Sequence, residues 1–66
     1  MSIIKIIEVL SESNVSWEDA AQQAVAKATK TLHNVKSIYI KEHSAKVVNG
    51  KITSYRINAK VSFVLD

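Results

Sequence analysis

Six side chains in this 66-residue chain could meet a hard cation: Glu8, Glu12, Glu18, Asp19, Glu42 and Asp66. Calcium asks for roughly six to eight oxygen ligands. These acids are too few and too scattered to build such a cage from one chain. Symmetry changes that arithmetic, because one carboxylate repeated about a threefold axis supplies three. Solvated surface acids and helix capping explain the same residues without any ion. Softer metals fit less well. There is no cysteine, and His33 and His43 lack the spacing of a zinc pair.

Stacking on a flat ligand needs an aromatic face. The candidates are Trp17, Tyr39, Tyr55 and Phe63. Trp17 is the only tryptophan and opens a helical stretch, where a core wedge or subunit contact is the plainer role. Tyr55 and Phe63 fall on the apolar face of a strand and read as core. Tyr39 is left as the freest ring.

Catalysis is not expected. Serines and threonines are the only nucleophile types, and no Ser–His–carboxylate arrangement is readable from spacing. Glu42 and His43 are adjacent in a strand and so point to opposite faces. A single glycine rules out a glycine-rich phosphate loop.

Composition narrows the classes further. The chain is 47% hydrophobic with a net charge of +3. Its eight lysines and single arginine are dispersed and form no block of like charge. That pattern reads as a solvated surface and argues against nucleic acid. Residues 3–10 are apolar but carry Lys5 and Glu8, so neither a secretory leader nor a membrane span is expected. With no cysteine the reading is cytoplasmic. Residues 1–66 read as one domain. A chain this short buries only about 60% of its unfolded surface and usually needs a staple. Here the available staples are an oxygen-bound ion or a partner copy.

The elements that must position these residues number four. Residues 2–10 form a strand that is apolar on both faces, with Ile4, Ile6 and Leu10 on one and Ile3, Ile7 and Val9 on the other. Residues 11–15 are a loop. Ser16 is the N-cap, with Asp19 three residues on completing a capping-box pattern. A helix runs from Trp17 to about His33, and Trp17, Ala21, Ala24, Val25, Ala28 and Leu32 make its apolar stripe. Asn34 supplies a left-handed cap. Residues 35–48 and 51–65 are long strands joined at Asn49-Gly50, a turn that needs positive φ twice. The last strand alternates, with Tyr55, Ile57, Ala59, Val61, Phe63 and Leu65 facing the helix. Arg56, Asn58, Lys60 and Ser62 face away from it.

The expected fold is α+β, with β-α-β-β order and one helix packed on a three-stranded antiparallel sheet. The sheet outreaches its helix, the alanine stripe is thin, and the first strand is greasy on both sides. Self-association is the expected remedy.

The segments KIIEVL, AAQQAVAKATKTLHNV, KEHSAKVVNGKI and YRINAKVSFVLD, with Lys60, Val61 and Phe63 in the ending, resemble the dodecins. These are small β-α-β-β proteins that assemble as hollow, cubic-symmetry dodecamers and mostly bind flavins. The resemblance implies a homododecamer. It also implies that the stacking tryptophan of flavin-binding members falls at Ser37, and their hydrogen-bonding glutamine at Arg56. Both positions depart from the flavin pattern. The stretch SWEDAAQQAV is similar to a calcium-dodecin subgroup, which implies calcium ahead of FMN or riboflavin and leaves the ion's ligands unassigned. The main expectation is a non-enzymatic assembly that sequesters a small ligand or ion, with Ser37, Tyr39 and Arg56 as the ligand-facing residues. Flavin binding with altered contacts is the alternative: Arg56 would meet a phosphate or carbonyl, and Tyr39 would give a weaker stacking face. A third reading, a basic nucleic-acid module, needs Lys36, Lys41, Arg56 and Lys60 on one exposed face.

Overall fold

The computed structural model describes residues 2–65. Asp66, one of the six acids weighed above, lies outside them, as does Met1. Four elements follow in order: β1 (Ile3–Ser13), α1 (Trp17–Thr31), β2 (Val35–Val48) and β3 (Lys51–Leu65). The sheet is antiparallel with order β1-β3-β2, so β3 is central and the other two are edges. The β-α-β-β architecture is as expected.

One face of β3 makes the core. Ile57, Ala59, Val61 and Phe63 are buried beneath the helix, and Ala20 and Ala28 are the buried helix residues. Val9, Trp17, Ala21, Ile38 and Ile40 pack around them. Ala20 was missing from the expected stripe, yet it has no exposed surface. The stripe's centre passes between the 20 and 21 positions of the first turns, so both alanines meet the sheet. Val25 and Leu32, at its margins, are only partly covered. Leu65 shares the face of Phe63 but lies beyond the helix end and is exposed.

β1 runs three residues further than expected, to Ser13. Ser11, Glu12 and Ser13 pair with Ile57, Arg56 and Tyr55 instead of forming a loop. Polar side chains hid this continuation, because they are satisfied by tertiary bonds. Ser11 Oγ donates to the Ala20 carbonyl at 2.8 Å. Buried Ser13 donates to Asp19 Oδ2 at 2.6 Å and accepts from the Val15 N–H at 2.9 Å.

Ser16 is the N-cap, and its Oγ accepts from the Asp19 N–H at 2.9 Å. The capping box is only half formed. The Asp19 carboxylate accepts from Ser13 and Gln23, not from the Ser16 N–H, which reaches Ser13 Oγ instead. The helix ends at Thr31, with Leu32 extended as C-cap. Asn34 is left-handed, with φ 60°, but two residues past that cap, where it turns the chain into β2.

Asn49 and Gly50 take φ 53° and 75°, the pair of positive values a tight two-residue hairpin needs. The β2–β3 ladder is interrupted by register shifts at Val35/Ser37, Ile40/Glu42 and Lys46/Val47. Each shift swaps which alternate residues face the helix. The molecule measures 51 × 20 × 13 Å along its principal axes. A 15-residue helix spans about 22 Å of that length. The hairpin end, with Val47 and Ile52, therefore projects bare beyond it.

Candidate functional site

The sheet face away from the helix carries the chemistry. Antiparallel register puts paired residues on the same face. Down that face β1 places Ile4, Ile6, Glu8, Leu10 and Glu12, opposite Val64, Ser62, Lys60, Asn58 and Arg56 of β3. From β2 come Ser37 opposite Ser62, Tyr39 opposite Lys60, Glu42 opposite Asn58 and Ser44 opposite Arg56.

The three residues expected to meet a ligand all lie here. Ser37 and Ser62 hydrogen-bond to each other through their hydroxyls, which closes the upper part of the face with small polar groups. Tyr39 is 65% exposed and stands beside Lys60 in register. Arg56 pairs through Nε with Glu12 Oε1. Ser37 and Arg56 are three register rows apart along β3, so they do not line one pocket.

An open pocket of about 620 Å³ surrounds Arg56 and is lined by Leu10, Glu12, Glu42, Ser44 and Asn58. Sequence reasoning missed Glu12, Glu42 and Asn58 as members of it. Glu12 was hidden by the loop expected at 11–15. Glu42 joins this face only because the Ile40/Glu42 shift changes the parity of β2. Asn58 was placed on this face but not recognised as a site residue. Its Oδ1 is buried with no hydrogen-bond donor among the described residues.

The electrostatics of the face are mixed. Lys41 reaches over β3 to Glu8, Nζ to Oε2 3.5 Å. Lys41, Arg56 and Lys60 thus share the face with Glu8, Glu12 and Glu42, and two of the three cations are already paired with acids. A continuous basic surface of the kind a phosphate backbone needs is not formed there. Among the described residues no group of three or more His, Cys, Asp or Glu side chains comes together to hold a metal ion.

Trp17 is elsewhere. Its ring packs edge-on against Tyr55 at 4.9 Å and His43 at 6.0 Å between centroids, on the helix side of the sheet. It is a structural wedge and leaves the open face without an indole. A second recess, about 510 Å³, lies between α1 and β1 against Ile7, Val9, Ala24, Ala28 and Leu32. It is the gap left by a helix whose stripe is mostly alanine.

A family model described as Dodecin matches residues 3–66. The chain belongs to the dodecin family. It is 39% identical over 64 residues to a calcium dodecin of Mycobacterium tuberculosis, covering 96% of this chain and 89% of that one. The crystal structure of a calcium-chelating calcium dodecin from M. tuberculosis, described with a novel calcium-binding site, aligns with TM-score 0.84 at 35% identity. That alignment covers 98% of this chain and 93% of that one. An arginine-to-alanine variant of the Thermus thermophilus dodecin aligns with TM-score 0.94 at 27% identity, over 100% of this chain and 98% of the other. Residue identity thus leans toward the calcium dodecin and backbone overlap toward the Thermus protein. No helix among the described residues is long and apolar enough to cross a membrane.

Proposed function

We propose that this dodecin is a non-enzymatic, self-assembling protein that sequesters a small ligand or ion, calcium foremost, on the sheet face away from its helix. The observation that carries this reading is an incomplete site on an uncovered face. Glu8, Glu12 and Glu42 present carboxylates there, but no cluster of three potential metal ligands forms among the described residues. A calcium ion needing about six to eight oxygens would complete its shell with water or with the carboxylates of neighbouring copies. The same face exposes Ile4, Ile6 and Leu10, the last 80% exposed, which favours burial against a copy. The 39% identical calcium dodecin supports calcium as the ion.

The test has two parts. Native mass spectrometry is expected to give a species near twelve times the 7.3 kDa subunit. Calorimetric titration of the chelator-treated assembly with calcium is expected to show saturable binding. A monomer or dimer at micromolar concentration, or no calcium heat, would overturn the corresponding half of the proposal.

Flavin binding with altered contacts remains the second reading, favoured by the exposed ring of Tyr39 next to Lys60. The hydroxyl pair of Ser37 and Ser62 offers no stacking surface in its support. Colourless purified protein, and no quenching of riboflavin or FMN fluorescence on titration, would reject it.

A further inference from the structure

Two carboxylates and one guanidinium, Glu12, Glu42 and Arg56, line the open-face pocket, together with His43, whose ring packs against Trp17. They do not interact evenly. Arg56 turns to its cross-strand partner Glu12 on β1. Glu42, on the opposite edge strand, forms no ion pair with any described residue. Between them Asn58 keeps its buried Oδ1 without a donor among the described residues. Lys60 and the Glu8–Lys41 pair lie one row further along, outside the lining.

We propose that Glu12 is a specificity-determining residue of this pocket: by holding Arg56 it makes the pocket select cations and N–H donors over anions. This inference rests on the ligand-holding reading of the open face. Its physical basis is the charge and the unsatisfied acceptor left over once Arg56 is paired, the Glu42 carboxylate and Asn58 Oδ1, beside the Ser11 and Ser44 hydroxyls, which can donate or accept. A carboxylate and an amide oxygen are acceptors only, and an acceptor is satisfied by a metal ion or a donor. An unpaired buried acceptor is costly, so a ligand that pairs it gains more than one that cannot. An anionic ligand would meet a guanidinium whose charge the Glu12 carboxylate already offsets through Nε, so a charge-assisted bond of its own gains less there.

The experiment titrates calcium, riboflavin and FMN into the assembled wild type and the variants Glu12→Gln, Glu42→Gln and Arg56→Gln. FMN differs from riboflavin by a phosphate, so the ratio of their affinities reads anion preference. Glu12→Gln keeps the shape but frees the guanidinium charge. Its FMN-to-riboflavin ratio is expected to rise, and its calcium affinity to fall, each by about fivefold, the scale of one ion-pair interaction at a partly exposed site. Glu42→Gln removes the same charge without releasing Arg56, so its ratio is expected to move less than half as far. Arg56→Gln leaves Glu12 free, and its calcium affinity is expected to rise by about fivefold on the same scale. If Glu12→Gln does not assemble, the calcium affinity of Arg56→Gln decides alone, and no rise overturns the inference. A ratio in Glu12→Gln within about twofold of wild type, or an equal shift in Glu42→Gln, overturns the role of Glu12 and leaves the ligand-holding reading standing. Failure of all three probes to bind wild type overturns both.

Discussion

The indole N–H of Trp17 donates to the backbone carbonyl of Ser44 at 2.8 Å, tying the first turn of the helix to an edge strand. That carbonyl belongs to the strand residue whose register partner is Arg56. The bond therefore anchors β2 from the helix side at the row where the pocket opens on the other side. Trp17→Phe keeps most of the ring contact with Tyr55 and His43 but leaves the carbonyl without this donor. It is expected to cost about 1 kcal/mol, the net worth of such a bond. Trp17→Ala also loses the ring packing and is expected to cost about 3 kcal/mol. Urea unfolding reads both, and equal losses would mean that the ring packing contributes nothing.

The core is thin enough for one residue to matter. Ile57 is 1% exposed and sits directly beneath Ala20 and beside Ala59. Ile57→Ala is expected to destabilise by about 2–5 kcal/mol, because the surrounding alanines cannot collapse into the space. Ala20→Leu is expected to destabilise by about 1–3 kcal/mol by forcing the helix off the sheet. A shift of the urea midpoint at constant slope is the expected signature of each.

Gly50 isolates a backbone effect. A β-carbon built there would meet nothing within 4 Å, yet φ is +75°. Gly50→Ala should therefore cost about 1–2 kcal/mol through conformation alone, with no clash to relieve. The measurement is again urea unfolding, with circular dichroism to confirm that the strands are retained. A neutral result would show that the conformation of this turn does not limit the stability of the hairpin.

Leu10 tests the proposed assembly surface. It is among the most exposed large apolar side chains and stands on the open face between Glu8 and Glu12. Leu10→Lys is expected to shift the sedimentation coefficient toward that of smaller species at micromolar concentration. An unchanged coefficient would take this face out of the subunit contact.

Much of the molecule was legible from residue order. The β3 face that meets the helix was visible in the alternation from Tyr55 to Phe63, and the hairpin in Asn49-Gly50, because these signals are local. The resemblance to dodecins marked Ser37 and Arg56, strand parity marked Tyr39, and the structure puts all three on the face away from the helix.

Residue order determined the elements, their sequence along the chain and the direction in which most side chains of β3 point, since period and turn chemistry act over a few residues. Only the tertiary structure decided which charges meet. Glu12 reaches Arg56 because Ser11 and Ser13 bond to the helix and to Asp19, which lets β1 run on as strand. Glu42 reaches the same face because a register shift in β2 reverses its parity. Both depend on pairing with β3, beyond the few residues over which a local pattern acts, so residue order alone cannot register such partners.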